Sequence, residues 1–143
     1  MLLNVSQDFS EKRKLIQKEV GKPLTLERRK QIGGTTITGL PIIGSSIEIY
    51  NLLTVSTKEN TCSIELRSKG IVISFRSNHD TFSLVIPFYK LKVYKGGTEE
   101  YSFYKDHYFI KIWPGGHEQA APFLKQILKM KSDTAHTRVD DLP

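Results

Sequence analysis

Cysteine and histidine, the side chains that most often carry out chemistry, are few in this sequence and widely separated. Cys62 is the only cysteine, so no second thiolate is available for a zinc site or an internal disulfide. The four histidines are never three or four residues apart: His79, His107, His117 and His136. The chain also lacks a glycine-flanked catalytic serine, a P-loop and an HExxH motif. We therefore predict no catalytic residue, no metal site and no cofactor.

Basic side chains are the second group that could bind a ligand, because lysine and arginine bind phosphate oxygens. The chain of 143 residues has 21 Lys and Arg against 15 Asp and Glu, a net charge of +6. Residues 1–32 hold eight basic and four acidic residues, so most of the excess lies in this leader. Its two basic clusters are Lys12, Arg13, Lys14 and Arg28, Arg29, Lys30. They could contact anionic lipid or nucleic acid, and the alternative is a helix that packs on the rest of the protein.

A third basic group lies in the body of the chain. Lys90, Lys92 and Lys95 surround Tyr94, and further tyrosines follow shortly after. One interpretation is a basic and aromatic surface for phosphates or single-stranded nucleic acid. The other is a solvated edge strand whose lysines discourage pairing with other chains.

The hydrophobic pattern changes from helical to alternating along the chain. In the leader, Phe9, Ile16 and Val20 lie at helical spacing, and Gly21 ends the run. From Thr35 onward apolar residues recur at every second position, with turns every eight to twelve residues. Seven strands and then an amphipathic helix are predicted: 47–55, 61–67, 70–76, 81–86, 89–95, 100–105 and 107–113, followed by 118–131. We expect a mainly β fold of the α+β class, with Cys62 buried in a strand.

Several segments of this pattern resemble small bacterial PH-like and GRAM-like proteins of the pleckstrin-homology superfold. They are Gly39-Leu40-Pro41, Ile47-Glu48-Ile49-Tyr50, Gly70–Phe75 and Phe82–Pro87, together with Leu91 and Val93. The resemblance implies a seven-stranded antiparallel barrel closed by the C-terminal amphipathic helix, preceded by an N-terminal helical leader. Phosphoinositide-binding PH domains carry a basic cluster across the first hairpin, whereas the tip predicted here, residues 56–60, has Lys58 alone.

The sequence therefore predicts a PH-like barrel domain over 33–132, a basic helical leader over 1–32 and a flexible tail over 133–143. Removal of the leader is expected to leave a folded and nearly neutral module. The predicted function is a non-catalytic binding module for a peptide, a partner protein or a membrane surface. A nucleic-acid-binding protein that uses the basic leader is the first alternative, and a small enzyme is the second. The predicted location is the cytoplasm, with peripheral membrane attachment as a variant.

Overall fold

The computed structural model describes residues 1–6, 9–25, 27, 34–53, 60–96 and 99–140, with side chains placed as far as residue 134. The described helices are α1 (Phe9–Val20), α2 (Ile47–Leu53) and α3 (Ala120–Asp140). The described strands are β1 (Leu2–Asn4), β2 (Thr36–Ser45), β3 (Thr61–Arg67), β4 (Gly70–Ser77), β5 (Asp80–Pro87), β6 (Lys92–Gly96), β7 (Glu100–Lys105) and β8 (Tyr108–Ile112). The prediction of a mainly β chain is confirmed.

The eight described strands form one antiparallel sheet in the order β1-β5-β4-β3-β2-β8-β7-β6. Strand β2 joins its two halves, because residues 36–41 pair with β3 and residues 42–45 pair with β8. The register shifts within both parts of β2, and Gly39 has a φ of 71°. Such irregularities bend a strand. We call β1, β5, β4 and β3 the first half-sheet, and β8, β7 and β6 the second half-sheet; no hydrogen bonds between the described strands join β1 to β6.

The main hydrophobic core lies between the two half-sheets and α3. Its fully buried members include Leu40 of β2, Ile64, Ile73 and Ile86 of the first half-sheet, Phe103 and Ile110 of the second, and Ile127 of α3. Helix α3 contributes Leu124 and Met130 as well, whereas Leu128 is 42% exposed on its other side. The C-terminal helix is thus present as predicted, but it begins at Ala120 and continues to Asp140. It passes the predicted end at residue 131 because no glycine or proline interrupts residues 131–140.

The leader packs on the first half-sheet. Strand β1 pairs with β5. Helix α1 buries Ile16 and Val20 against Val72 and Val85, which lie on the face of β4 and β5 opposite the main core. Both faces of these central strands are therefore covered. Phe9, predicted on the same apolar face of α1, is 53% exposed because it lies at the start of the helix.

The predicted strand over 47–55 is wrong, because residues 47–53 form α2. The alternation of Ile47, Ile49 and Leu53 fits a strand, but Ile49 and Leu53 are also four residues apart, which suits one face of a helix. In α2 these two are buried while Ile47 is 69% exposed. The Ser46 carbonyl begins the helix by accepting the Tyr50 amide at 2.8 Å. The hairpin tip predicted at residues 56–60 lies outside the described residues except for Asn60.

The start of one strand and the number of strands also differ from the prediction. The strand expected over 89–95 begins at Lys92, because the amides of Lys90 and Leu91 both donate to the Pro87 carbonyl in a tight turn. The seven expected strands become eight, since 36–45 and 2–4 are strands and 47–53 is not. No helix formed by the described residues is long and apolar enough to cross a membrane.

Candidate functional site

Strand β6 lies at one edge of the sheet. Within the described chain it pairs with β7 alone, so the other side of its backbone has no strand neighbour. The opposite edge, β1, is three residues long, whereas β6 has five. Unpaired sheet edges can accept an extended segment as an additional strand. The longer edge, β6, is therefore the better template for such a segment.

An open groove of about 650 Å³ runs beside β6. Lys92 and Tyr94 line it from β6, Tyr104 lines it from β7, and Lys131 lines it from α3. Lys131 Nζ also donates a hydrogen bond of 3.3 Å to the carbonyl oxygen of Phe88, in the turn before β6. This bond ties α3 to that turn.

Aromatic rings form part of the groove surface. The rings of Tyr94 and Tyr104 meet edge to face with centroids 5.2 Å apart, and Tyr104 stacks on Phe109 at 5.1 Å. Tyr94 is 57% exposed even though Tyr104 supports it from below. A supported and exposed tyrosine loses little side-chain entropy on binding, which is why tyrosine is common at the centre of interfaces.

A second depression, of about 190 Å³, lies at the other end of β6. It is lined by Lys95 and Tyr101 from the strands and by Ala120 and Leu124 from the start of α3. Lys131 of the same helix lines the first groove. Helix α3 therefore runs alongside β6, and the seam between them has a depression at each end.

The seam is basic. Its lysines are Lys90, Lys92, Lys95 and Lys131, and its carboxylates are Glu99 and Asp106. None of these side chains takes part in the ion pairs formed by the described residues. Lys90 and Lys95 instead lie over tyrosine rings, with Nζ 5.8 Å from the Tyr89 centroid and 6.0 Å from the Tyr101 centroid. The excess of unpaired ammonium groups favours an acidic occupant.

Of the basic residues predicted in the leader, the three described ones make different contacts. Lys12 Nζ donates to the carbonyl oxygen of Asn4, and the guanidinium of Arg13 lies 4.7 Å from the centre of the Phe9 ring. Both contacts hold the leader together. Lys14 is exposed and lines a different depression, near the β3–β4 turn. The second predicted cluster lies outside the described residues: Arg28, Arg29 and Lys30.

The sequence alone identifies Lys90, Lys92, Lys95 and Tyr94 as a basic and aromatic segment. The structure adds the neighbouring residues of β7 and α3 that line the two depressions with them. Neither Tyr104 nor Lys131 can be assigned to this surface from its position in the sequence. Lys131 reaches the groove because α3 lies against the turn that precedes β6, a long-range contact that spacing within one helix cannot show. The pairing of Lys92 with Tyr104 across β6 and β7 also depends on the register.

Cys62 is buried, as predicted, with 3% of its surface exposed. Burial raises the pKa of its thiol to about 12, so the thiolate form needed for nucleophilic attack is scarce at neutral pH. Among the histidines, His107 Nε2 lies 3.6 Å from Glu48 Oε1 on the exposed surface. Among the described residues no three histidine, cysteine, aspartate or glutamate side chains are grouped so that they could hold a metal ion.

Comparison of this chain with known protein families, with curated proteins and with solved structures finds no match.

Proposed function

We propose that this protein is a non-catalytic binding module with a PH-like barrel, and that it binds an extended acidic segment of a partner protein along β6. The observation that carries the proposal is the exposed β6 edge, which has one strand neighbour in the described structure and α3 alongside it. The added segment would gain backbone hydrogen bonds from β6, and the seam would select its side chains.

The arrangement of elements supports the PH-like part of the proposal. Strands β2–β8 are seven antiparallel strands followed by α3, with α2 inserted between β2 and β3, and β2 pairs with both β3 and β8. Helix α3 packs its apolar side into the core between the half-sheets, where it covers apolar residues of both. In this proposal β1, α1 and α2 are additions to the seven-stranded barrel.

The charge of the seam supports an acidic partner segment. Its four lysines exceed its two carboxylates, and a bound carboxylate could approach Lys92 or Lys131 without displacing an existing ion pair of the described residues. Exposed Tyr94 offers apolar area at the centre of the strand. A segment with alternating acidic and apolar residues fits this surface, because successive side chains of a strand point to opposite faces.

Selection of binders from a random peptide library tests the proposal. We expect the enriched peptides to be rich in Asp and Glu and to bind with an affinity that falls about 10-fold or more in the Tyr94→Ala variant, as for an interface hot spot. Tyr50→Ala is the matched control, since Tyr50 on α2 is also 57% exposed but lies away from the seam. Failure to enrich any peptide, or equal losses in the two variants, would contradict the proposal.

Single-stranded nucleic acid is a second candidate for the same surface. The supported tyrosine pair next to Lys92 could stack a base and contact a phosphate. Its affinity would fall steeply as salt is raised, because phosphate contacts release counterions. This function would be favoured over peptide binding if the protein retained an oligonucleotide at low salt, the Tyr94→Ala variant did not, and no selected peptide bound.

A further inference from the structure

A second basic surface lies apart from the β6 seam, where the C-terminal end of α1 meets the turn between β3 and β4. Lys14 and Lys18 of α1, Lys22 after it, and Lys69 of the turn line an open depression of about 630 Å³. No carboxylate of the described residues lines this depression, and none of the four lysines forms an ion pair within the described structure.

These lysines are not needed to complete the end of α1. Basic residues near a helix C-terminus often stabilise its free carbonyl groups. Here other donors occupy three carbonyls at this end: the Gly21 amide donates to Gln17, the Lys69 amide donates to Val20, and Arg67 Nη1 donates to Gly21, each at 2.9 Å. The lysine ammonium groups are therefore available to an external partner.

The fold holds the lysines in a fixed array. Ile16 and Val20 attach α1 to the sheet, and Lys14 and Lys18 lie two residues before each of them, on the opposite side of the helix. The hydrogen bond from the Lys69 amide to Val20 fixes the β3–β4 turn against the same helix end. Leu15, 42% exposed, lies between Lys14 and Lys18 in sequence, while Glu11 on this face offsets part of the charge.

We propose that this surface attaches the protein to an anionic membrane. The depression is wide and open, which suits a flat array of headgroups better than a small ligand that needs enclosing walls. Lysines act as point charges toward such an array, and each is worth about fivefold in partitioning to an anionic bilayer. The exposed Leu15 adds an apolar side chain that can enter the interface. This attachment is independent of peptide binding at β6.

Co-sedimentation with lipid vesicles tests the proposal with the full chain. We expect binding to phosphatidylcholine vesicles that contain about 30 mol% phosphatidylserine, weak binding to pure phosphatidylcholine, and loss of binding as salt is raised above about 100 mM. Lys14→Gln with Lys18→Gln should lower the partition coefficient about 30-fold, since two lysines are removed. Adding Lys69→Gln should lower it about fivefold further, although this residue lies on a different element.

Lys125→Gln with Lys129→Gln is the matched control, because these two lysines are also exposed and also four residues apart on a helix, α3. This control should partition like the unaltered protein. The proposal is overturned if anionic vesicles fail to bind the protein at low salt, or if both double variants lose the same affinity. It is also overturned if a short DNA duplex binds with the same lysine dependence while vesicles do not. Thermal unfolding of each variant checks that it is folded.

Discussion

At the scale of the residue, Cys62 links burial to a measurable response to pH. Its thiol lies in β3 with an ordinary pKa of 9.0 raised to about 12 by burial, so the folded state favours the protonated form. Above pH 9 the thiol of the unfolded chain loses its proton while that of the folded chain keeps it. The free energy of unfolding should therefore fall as pH rises from about 9 toward 12, by at most about 1.4 kcal/mol per pH unit from this group.

Urea unfolding of the protein and of Cys62→Ala, at pH 8 and at pH 10, measures this contribution as a difference. The two proteins share every other titrating group, so only the unaltered protein loses stability through Cys62 at the higher pH. The difference between their free energies of unfolding should therefore be smaller at pH 10 than at pH 8. In addition, a thiol reagent should label Cys62 of the folded protein slowly at neutral pH and rapidly in urea. A gap that stays constant with pH, together with rapid labelling of the folded protein, would contradict this account.

Gly70 of β4 lies where β5 and α1 both approach closely. A Cβ added to this residue would overlap the Ile86 carbonyl oxygen, Val20 Cγ1 and the Pro87 Cα. Two of these atoms belong to backbone that cannot move freely. We expect Gly70→Ala to lower the free energy of unfolding by about 2 kcal/mol, a typical cost of overpacking.

Gly44→Ala is the control for this substitution, because Gly44 is also a strand glycine but its added Cβ would lie 3.6 Å from the nearest atom, Lys111 Cβ. It should change stability by less than about 0.5 kcal/mol, as is usual for surface substitutions. Equal effects of the two substitutions in denaturant unfolding would show that β5 and α1 do not pack tightly around Gly70.

At the scale of the element, α2 is the place where the sequence pattern and the structure disagree. A strand would place Ile47 and Ile49 on one face, and a helix separates them. Ile49 is fully buried and Ile47 is 69% exposed. Ile49→Ala should therefore cost about 2–4 kcal/mol of stability, and Ile47→Ala less than about 0.5 kcal/mol. Similar losses in the two variants would instead support the strand.

The β-strands after residue 60 could be predicted because their apolar alternation is regular and short turns separate them. Strands β3, β4 and β5 fall within one residue of their predicted bounds at each end. Strand β2 is harder to predict, because proline and glycine favour turns, yet Pro41 and Gly44 both lie inside this bent strand. A proline can occupy such a strand at a point where the ladder is irregular. Strand β1 is three residues long and depends on pairing with β5, so it has no periodic signal of its own.

The candidate site could be predicted only in part for a similar reason. The run Lys90, Lys92, Tyr94 and Lys95 is visible in the sequence as a basic and aromatic segment. Whether such a strand is central or at an edge depends on the order of strands in the sheet, and the position of α3 beside it depends on core packing. Both are long-range properties, which a pattern of local spacing does not contain.

At the scale of the whole molecule, eight of the 21 lysines and arginines line two separate surfaces of the described structure. One is the seam between β6 and α3, and the other is the lysine array at the end of α1. A protein attached to a membrane by α1 would keep the β6 edge available to an acidic partner segment. The two proposals are separable, because Tyr94→Ala should leave vesicle binding unchanged.

The leader also contributes to the fold of the whole chain. That residues 33–132 fold without the leader stays a prediction. The contacts of residues 1–25 show which interactions the truncated chain would lack. Without the leader, β5 loses its pairing with β1, and the apolar side chains of Val72 and Val85 become exposed on the outer face of the first half-sheet. A truncated chain would therefore present an unpaired edge and an apolar patch, both of which promote self-association.

The most direct test of peptide binding at β6 is an amide-resolved NMR titration of the ¹⁵N-labelled full chain with a selected acidic peptide. We predict that the largest shift changes fall on residues 92–96 and on the facing part of α3, and that hydrogen exchange slows at β6 amides that face away from β7. Slower exchange is expected because an added strand protects amides that were open to water. Shift changes confined to α1 or to the first half-sheet, with unchanged exchange in β6, would contradict the proposed function.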